Sequence, residues 1–200
     1  MHLIDVVLFL HIAVAIAAFG VATVLHTIQW SMRNATSMAQ LKTWNPILHR
    51  IEPMFPILAL ILFALGGWLI GLSDGEFAWG DGWVITAIVG LALMEIVGGV
   101  LINKRSKNTV VAIAYADDGP IPSSVNAFMM NPVLWAASHF ETGTALGILY
   151  LMATKPSGLA SVAIVAICAL AGIGVGALGA RVRVAEPAEP AGAAELPATA

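Results

Sequence analysis

The chain has 200 residues, 59% of them hydrophobic and only 10% charged, with a mean hydropathy of +0.89. A soluble domain carries roughly 25% charged residues, so an ordinary water-soluble enzyme is a poor description, and a net charge of −3 argues against a nucleic-acid partner. The single cysteine, Cys168, lies in an apolar run, which excludes a disulfide framework and a cysteine metal cluster.

Five apolar runs follow one another, at about 4–29, 54–73, 83–102, 133–153 and 159–180. Each is near the length of about 20 residues that a helix needs to cross roughly 30 Å of hydrocarbon. They predict an all-α polytopic transmembrane helix bundle of about five spans, built as one domain over residues 1–183. The first run begins with Asp5 in place of a basic segment and is too long for a signal-peptide core, so it is read as a retained span. Residues 34–52 predict a short interfacial helix with Leu41, Trp44, Ile47, Leu48 and Ile51 on its apolar face. Pro53 and Pro56 open the second span, where a helix tolerates proline. The acidic stretch "SDGEFAWGDG" (73–82) joins the second and third spans.

Residues 103–132 begin basic and end in "DDGPIPSS", which reads as a linker. "TKPSG" (154–158) is a tight turn that pairs the fourth and fifth spans. The segment 184–200, rich in Ala, Pro and Glu, predicts a disordered tail. The glycines of "GIGVGALG" (172–179) follow no strand, so they predict close helix packing in preference to a nucleotide loop.

Arg33, Lys42, Arg50, Lys104, Arg105, Lys107, Arg181 and Arg183 all fall on one side of this serpentine, and only Lys155 on the other. The excess of Lys and Arg on cytoplasmic loops is expected to place the N-terminus outside and the C-terminus in the cytoplasm. Trp30, Trp44, Trp68, Trp83 and Trp135 fall near the predicted interfaces.

Ionisable groups inside hydrocarbon need an explanation. Five qualify: His11, His26, Glu95, His139 and Glu141. His11, Ala15, Ala18, Ala22 and His26 recur at helical spacing along one stripe of the first span. His139 lines up with Gly143 and Gly147, a small-residue surface suited to close packing. Counted at helical rise from the predicted inner ends, Glu95 lies at a depth of about 12 Å and His139 at about 10 Å. His26, Glu95 and His139 are therefore expected to meet in the inner half of the bundle. Glu141, two residues from His139, points to nearly the opposite face, toward span five or water. The plain alternative for each is an interhelical hydrogen bond, and His2 and His49 read as solvated.

"LFLHIAVAIAAFG" (8–20), "LHRIEPMFPILALILFALGGWLI" (48–70), "GW" (82–83) and "YLMATKPSG" (150–158) together resemble a family of bacterial integral membrane proteins of unknown function in the copper-resistance-protein-D-like group. The resemblance covers about residues 5–160. That wider group includes copper-uptake proteins and, more distantly similar, a haem-dependent membrane protoporphyrinogen oxidase. In the oxidase a histidine placed like His11 is required, and so is a lysine in the third span. Here no lysine lies between Trp83 and Ile102, and Glu95 is the only ionisable group there.

Three functional classes remain open. The first is a protein binding b-type haem, or a metal, through His11, His26 or His139, with His26 and His139 as the best-placed pair. The second is a small-ion or proton-coupled transporter in which Glu95 and Glu141 are the candidate protonatable or hydrogen-bonding groups. The third is a non-catalytic membrane subunit. Haem b is the candidate cofactor and the lipid bilayer the expected surrounding, with a homo-oligomer or a partner subunit left open. No catalytic residue stands out, and enzymatic activity is left open.

Overall fold

A computed structural model describes residues 2–181, with the side chains of 103–105 and 181 excepted. Every regular element among them is helical: α1 (Leu3–Arg33), α2 (Met38–Ile51), α3 (Met54–Leu72), α4 (Gly82–Ile96) continuing into a π-helical segment (Val97–Asn103), α5 (Lys104–Tyr115), α6 (Ser123–Met129), α7 (Pro132–Thr154) and α8 (Gly158–Arg181). The expected tail from 184 onward and Arg183 lie outside the described residues.

Local signals set the boundaries. Asn131 caps α7 by accepting from Val133 N at 2.9 Å, and Pro132 follows at the first helical position, where its missing N–H costs nothing. Lys155 ends the helix in the left-handed region at φ 45°. Asp81 Oδ2 accepts from Ala78 N at 2.9 Å and fixes the turn before α4.

Four stretches are long and apolar enough to cross a membrane: Leu3–Arg33, Met38–Leu72, Gly82–Ile102 and Gly158–Ala180. Their outer faces carry Phe9, Ile16, Leu60, Ile167 and Leu170, each at least 66% exposed. A face of that kind suits lipid and not water, so the chain is a membrane protein. The helix α7 differs. It has 23 residues, enough to span, but Ser138, His139, Glu141, Thr142 and Thr144 lower its hydropathy below that of the other four.

The long helices form two pairs. α7 and α8 pack along their length, and so do α1 and α3. The first pair is held by glycine: a Cβ on Gly143 would collide with the Cys168 carbonyl, and one on Gly172 with the His139 carbonyl. This is the small-residue packing expected of span four, with α8 supplying the matching glycines. α4 joins the α7–α8 pair, where Gly90 admits Ile148 and Thr144, whereas α3 and α4 touch only sparsely.

At the C-terminal end of α1, the helices α2, α5 and α6 build a separate apolar cluster of Ile28, Met32, Met38, Leu41, Ile113 and Val125. The segment 103–132 holds two helices, α5 and α6, joined through a non-helical stretch within "DDGPIPSS", which the sequence marks as a linker. Their apolar positions are too few to register alone and acquire a partner only when α2 folds over them. The same docking corrects α2, whose Leu41 is 0% exposed against this cluster and does not lie on lipid. A Lys42–Asp118 ion pair at 2.8 Å closes the outside of the cap.

Gly143→Ala or Gly172→Ala should lower detergent thermal stability by about 1–3 kcal/mol through overpacking. Gly174→Ala, which meets nothing within 4 Å, should be neutral or slightly stabilising in the same melting experiment.

Candidate functional site

The intramembrane polar residues divide into three groups, set apart by the faces of α1, α4 and α7. The first joins α1 to α7. His26 Nδ1 lies 2.9 Å from the Ala22 carbonyl, and as the donor there it leaves Nε2 as an acceptor. Ser138 Oγ and Thr142 Oγ1 approach that Nε2 at 3.3 and 3.2 Å. Ser138 has one hydroxyl proton, and its shorter contact is to Gln29 Oε1 at 2.9 Å, so Thr142 is the donor to His26. His139 Nδ1 donates to the Trp135 carbonyl at 2.9 Å. The two imidazoles meet edge to face with centroids 5.1 Å apart.

This contact bears on haem. A macrocycle held between two imidazoles needs each ring to offer a free nitrogen across a gap. Here the rings touch, and His26 Nε2 is taken by hydroxyls. The pair in this arrangement does not fit a haem between its members. Among the described residues, no three His, Cys, Asp or Glu side chains are placed to share one metal ion.

Just below this group, Arg33 is 6% exposed. Its Nη2 donates to the Ala180 carbonyl at 2.6 Å, and its guanidinium stacks 5.1 Å from the Trp135 ring. A cation is thereby placed on the carbonyl end of α8, where the helix dipole favours it. Arg33 is therefore not the loop charge expected from the sequence, and Trp135 packs inside the bundle beside it. Both are buried and tie α1 to the α7–α8 pair.

His11 stands alone. Its ring lies 3.4 Å from where a Gly66 Cβ would be, so it packs on α3, where the Leu62 backbone offers it a hydrogen bond, while its Nδ1 is buried without a partner. Fifteen residues along one helix separate it from His26, or about 22 Å. The two histidines of α1 therefore serve different neighbours.

The third group is acidic. Glu141 turns to α4, where its Oε1 lies 2.7 Å from the position of a Cβ on Gly98, in the π-helical segment. The expectation that it faces span five or water is corrected, since α4 and not α8 covers that side of α7. Glu95 and Glu52 are both within electrostatic reach of Glu141. Glu95 does not join His26 and His139. It lines a cleft of about 320 Å³ between α3 and α4, and its Oε1 is buried with no hydrogen-bond partner. Glu52, which precedes α3, pairs with His49 at 3.7 Å. Sequence reasoning missed Glu52 because it sits in a loop-like "RIEP" outside any apolar run, and missed Gln29, Ser138 and Thr142 because neutral polar residues in a helix give no signal until a partner is seen.

Compared with protein-family models, curated proteins and solved structures, the chain matches none of them.

Arg33→Met should cost about 1.5–3 kcal/mol of stability, the range for a hydrogen bond to a charged group. Arg33→Lys should recover part of it, because lysine keeps the charge and loses the planar stack on Trp135. Thermal melts in one detergent would show that order.

Proposed function

We propose that the protein is a proton-coupled carrier of the bacterial inner membrane, with five spans, an outer N-terminus and a cytoplasmic C-terminus. The observation that carries this reading is the group of carboxyls Glu52, Glu141 and Glu95. Glu141 is within electrostatic reach of both others, and among the described side chains no lysine or arginine pairs with Glu141 or Glu95. Carboxyls without a Lys or Arg partner, such as Glu95 and Glu141, are what a proton relay inside a membrane requires. The widened turn at Gly98, beside Glu141, suits the same role, since π-helical turns concentrate at functional sites. The sparse α3–α4 contact supports movement of one helix pair against the other, as alternating access requires.

The fifth crossing is α7. Its start lies near the Arg33 end of the bundle, where Trp135 meets Arg33, and Lys155 just beyond its other end sits 4.2 Å from Phe77 in the α3–α4 loop. Two contacts at opposite ends are what a full crossing would produce. Reporter fusions after Lys107 and after Ser157 should read cytoplasm and outside, respectively. The same side for both would mean that α7 does not cross.

The proton reading is tested by infrared difference spectra of bilayer-embedded protein between about pH 5 and 9, which report carboxyl protonation directly. Carboxyl bands should titrate with bulk pH and lose amplitude in Glu141→Gln and in Glu95→Gln. Bands that do not respond to bulk pH would make the acids sealed structural groups.

Haem b held by one imidazole is the second reading, favoured by the buried, unpartnered Nδ1 of His11. It predicts a Soret band in the purified protein that His11→Ala removes. A colourless preparation from haem-replete cells would eliminate it.

A further inference from the structure

The cleft between α3 and α4 has one feature that ordinary lipid contact does not account for. Pro56, Ala59, Leu60 and Phe63 of α3 and Ile88, Leu91 and Ala92 of α4 give it apolar walls. The eighth lining residue is Glu95, whose Oε1 is buried and accepts no hydrogen bond. A buried acceptor left unmade costs about 1–3 kcal/mol, and more if charged. An acyl chain filling the cleft would leave that cost standing, because it has nothing to donate.

The electrostatics narrow the occupant. Glu141 on α7 is within electrostatic reach of both Glu95 and Glu52. The cleft-facing residues of α3 are not titratable, and among the described side chains of α8 the only titratable one is Cys168, which abuts Gly147. His26 and His139 lie with Ser138 and Thr142 on the α1–α7 side. The surroundings are thus acidic: His49 pairs with Glu52, and among the described side chains no Lys or Arg pairs with Glu95 or Glu141. A cation is favoured over a neutral or anionic guest. Phe63 adds an aromatic ring to the wall, itself tilted against Trp79 with centroids 6.4 Å apart. A cation placed over such a ring gains further, by roughly 0.5–2 kcal/mol. A volume of about 320 Å³ is at the small end for organic ligands. An N–H cation also satisfies Oε1, which a quaternary ammonium cannot.

We propose that the α3–α4 cleft is the substrate site, entered from the lipid, for a compact lipophilic amine in its protonated form, bound by its N–H to Glu95. This deepens the carrier reading and rests on it for the coupling: the ammonium and a proton compete for one carboxyl, so binding the amine releases the carboxyl proton toward Glu141 and Glu52. No covalent step is involved.

Calorimetric titration of nanodisc-embedded protein with 1-adamantylamine, less the heat of empty nanodiscs, tests the assignment. The amine should saturate one site and bind at least tenfold more tightly than 1-adamantanol or tetrabutylammonium, a difference of about 1.4 kcal/mol. Glu95→Gln should weaken amine binding by about tenfold or more, Glu95→Asp by less, and Ala92→Trp should block the cleft while leaving Glu95 in place. Runs in two buffers of different ionisation enthalpy count the proton released. Equal binding of amine and alcohol, or binding indifferent to Glu95→Gln in a variant whose melt is normal, overturns the proposal and makes the cleft a lipid groove, whatever the infrared titration shows. Selective amine binding with no proton release keeps the site and defeats the coupling.

Discussion

A helix that carries Ser138, His139, Glu141, Thr142 and Thr144 in about two turns cannot show those residues to hydrocarbon. Each charged side chain at mid-helix would cost about 2.5–3.5 kcal/mol on insertion scales. The rest of the bundle is arranged around this constraint. α8 closes one side of α7 through glycine contacts so tight that backbone meets backbone. α4 closes a second side and receives Glu141 at Gly98. α1 closes a third with His26 and Gln29, which satisfy Ser138 and Thr142. What α7 leaves outward is Val133, Leu146, Leu149 and Tyr150.

The proposed carrier role rests on how unequally those sides are sealed. The glycine seam between α7 and α8 has no slack, so the two helices act as one body. The α1 side is held by side-chain hydrogen bonds and the Arg33 clamp, which are individually modest and can exchange partners. The α3–α4 side is barely held. A molecule with one tight seam, one polar seam and one open cleft has an obvious direction of movement, and the carboxyl groups lie beside the loose seam. Rearrangement of α3 against α4 would change what Glu95 faces while the α7–α8 pair stays fixed.

Much of this was legible in the sequence. Apolar run lengths located all five long helices to within a few residues, and the spacing of Gly143 and Gly147 announced a close helix contact. The meeting of His26 and His139 followed from depth counting. Three things were not legible. A periodic stripe says which face is polar but not which neighbour covers it, so Glu141 was placed against the wrong helix and Glu95 with the wrong partners. Arg33 looked like a loop charge because four more residues of α1 were needed to bury it. The helices α5 and α6 have too few apolar positions to stand alone, and only tertiary contact with α2 gives those positions meaning.

The central claim is that α7 is a membrane-crossing helix whose polar face turns to protein, with Ser138 and Thr144 buried and His139, Glu141 and Thr142 half-buried. Cysteine scanning along α7 in a Cys168→Ala background, with a lipid-soluble maleimide in native membranes, tests it most directly. The account predicts labelling at Val133, Leu146, Leu149 and Tyr150 and protection at Ser138, Thr142 and Gly147. Labelling of Ser138 and Thr142 at rates equal to Leu146 and Leu149 would show that the polar face meets lipid, and the packing that organises the molecule would be wrong.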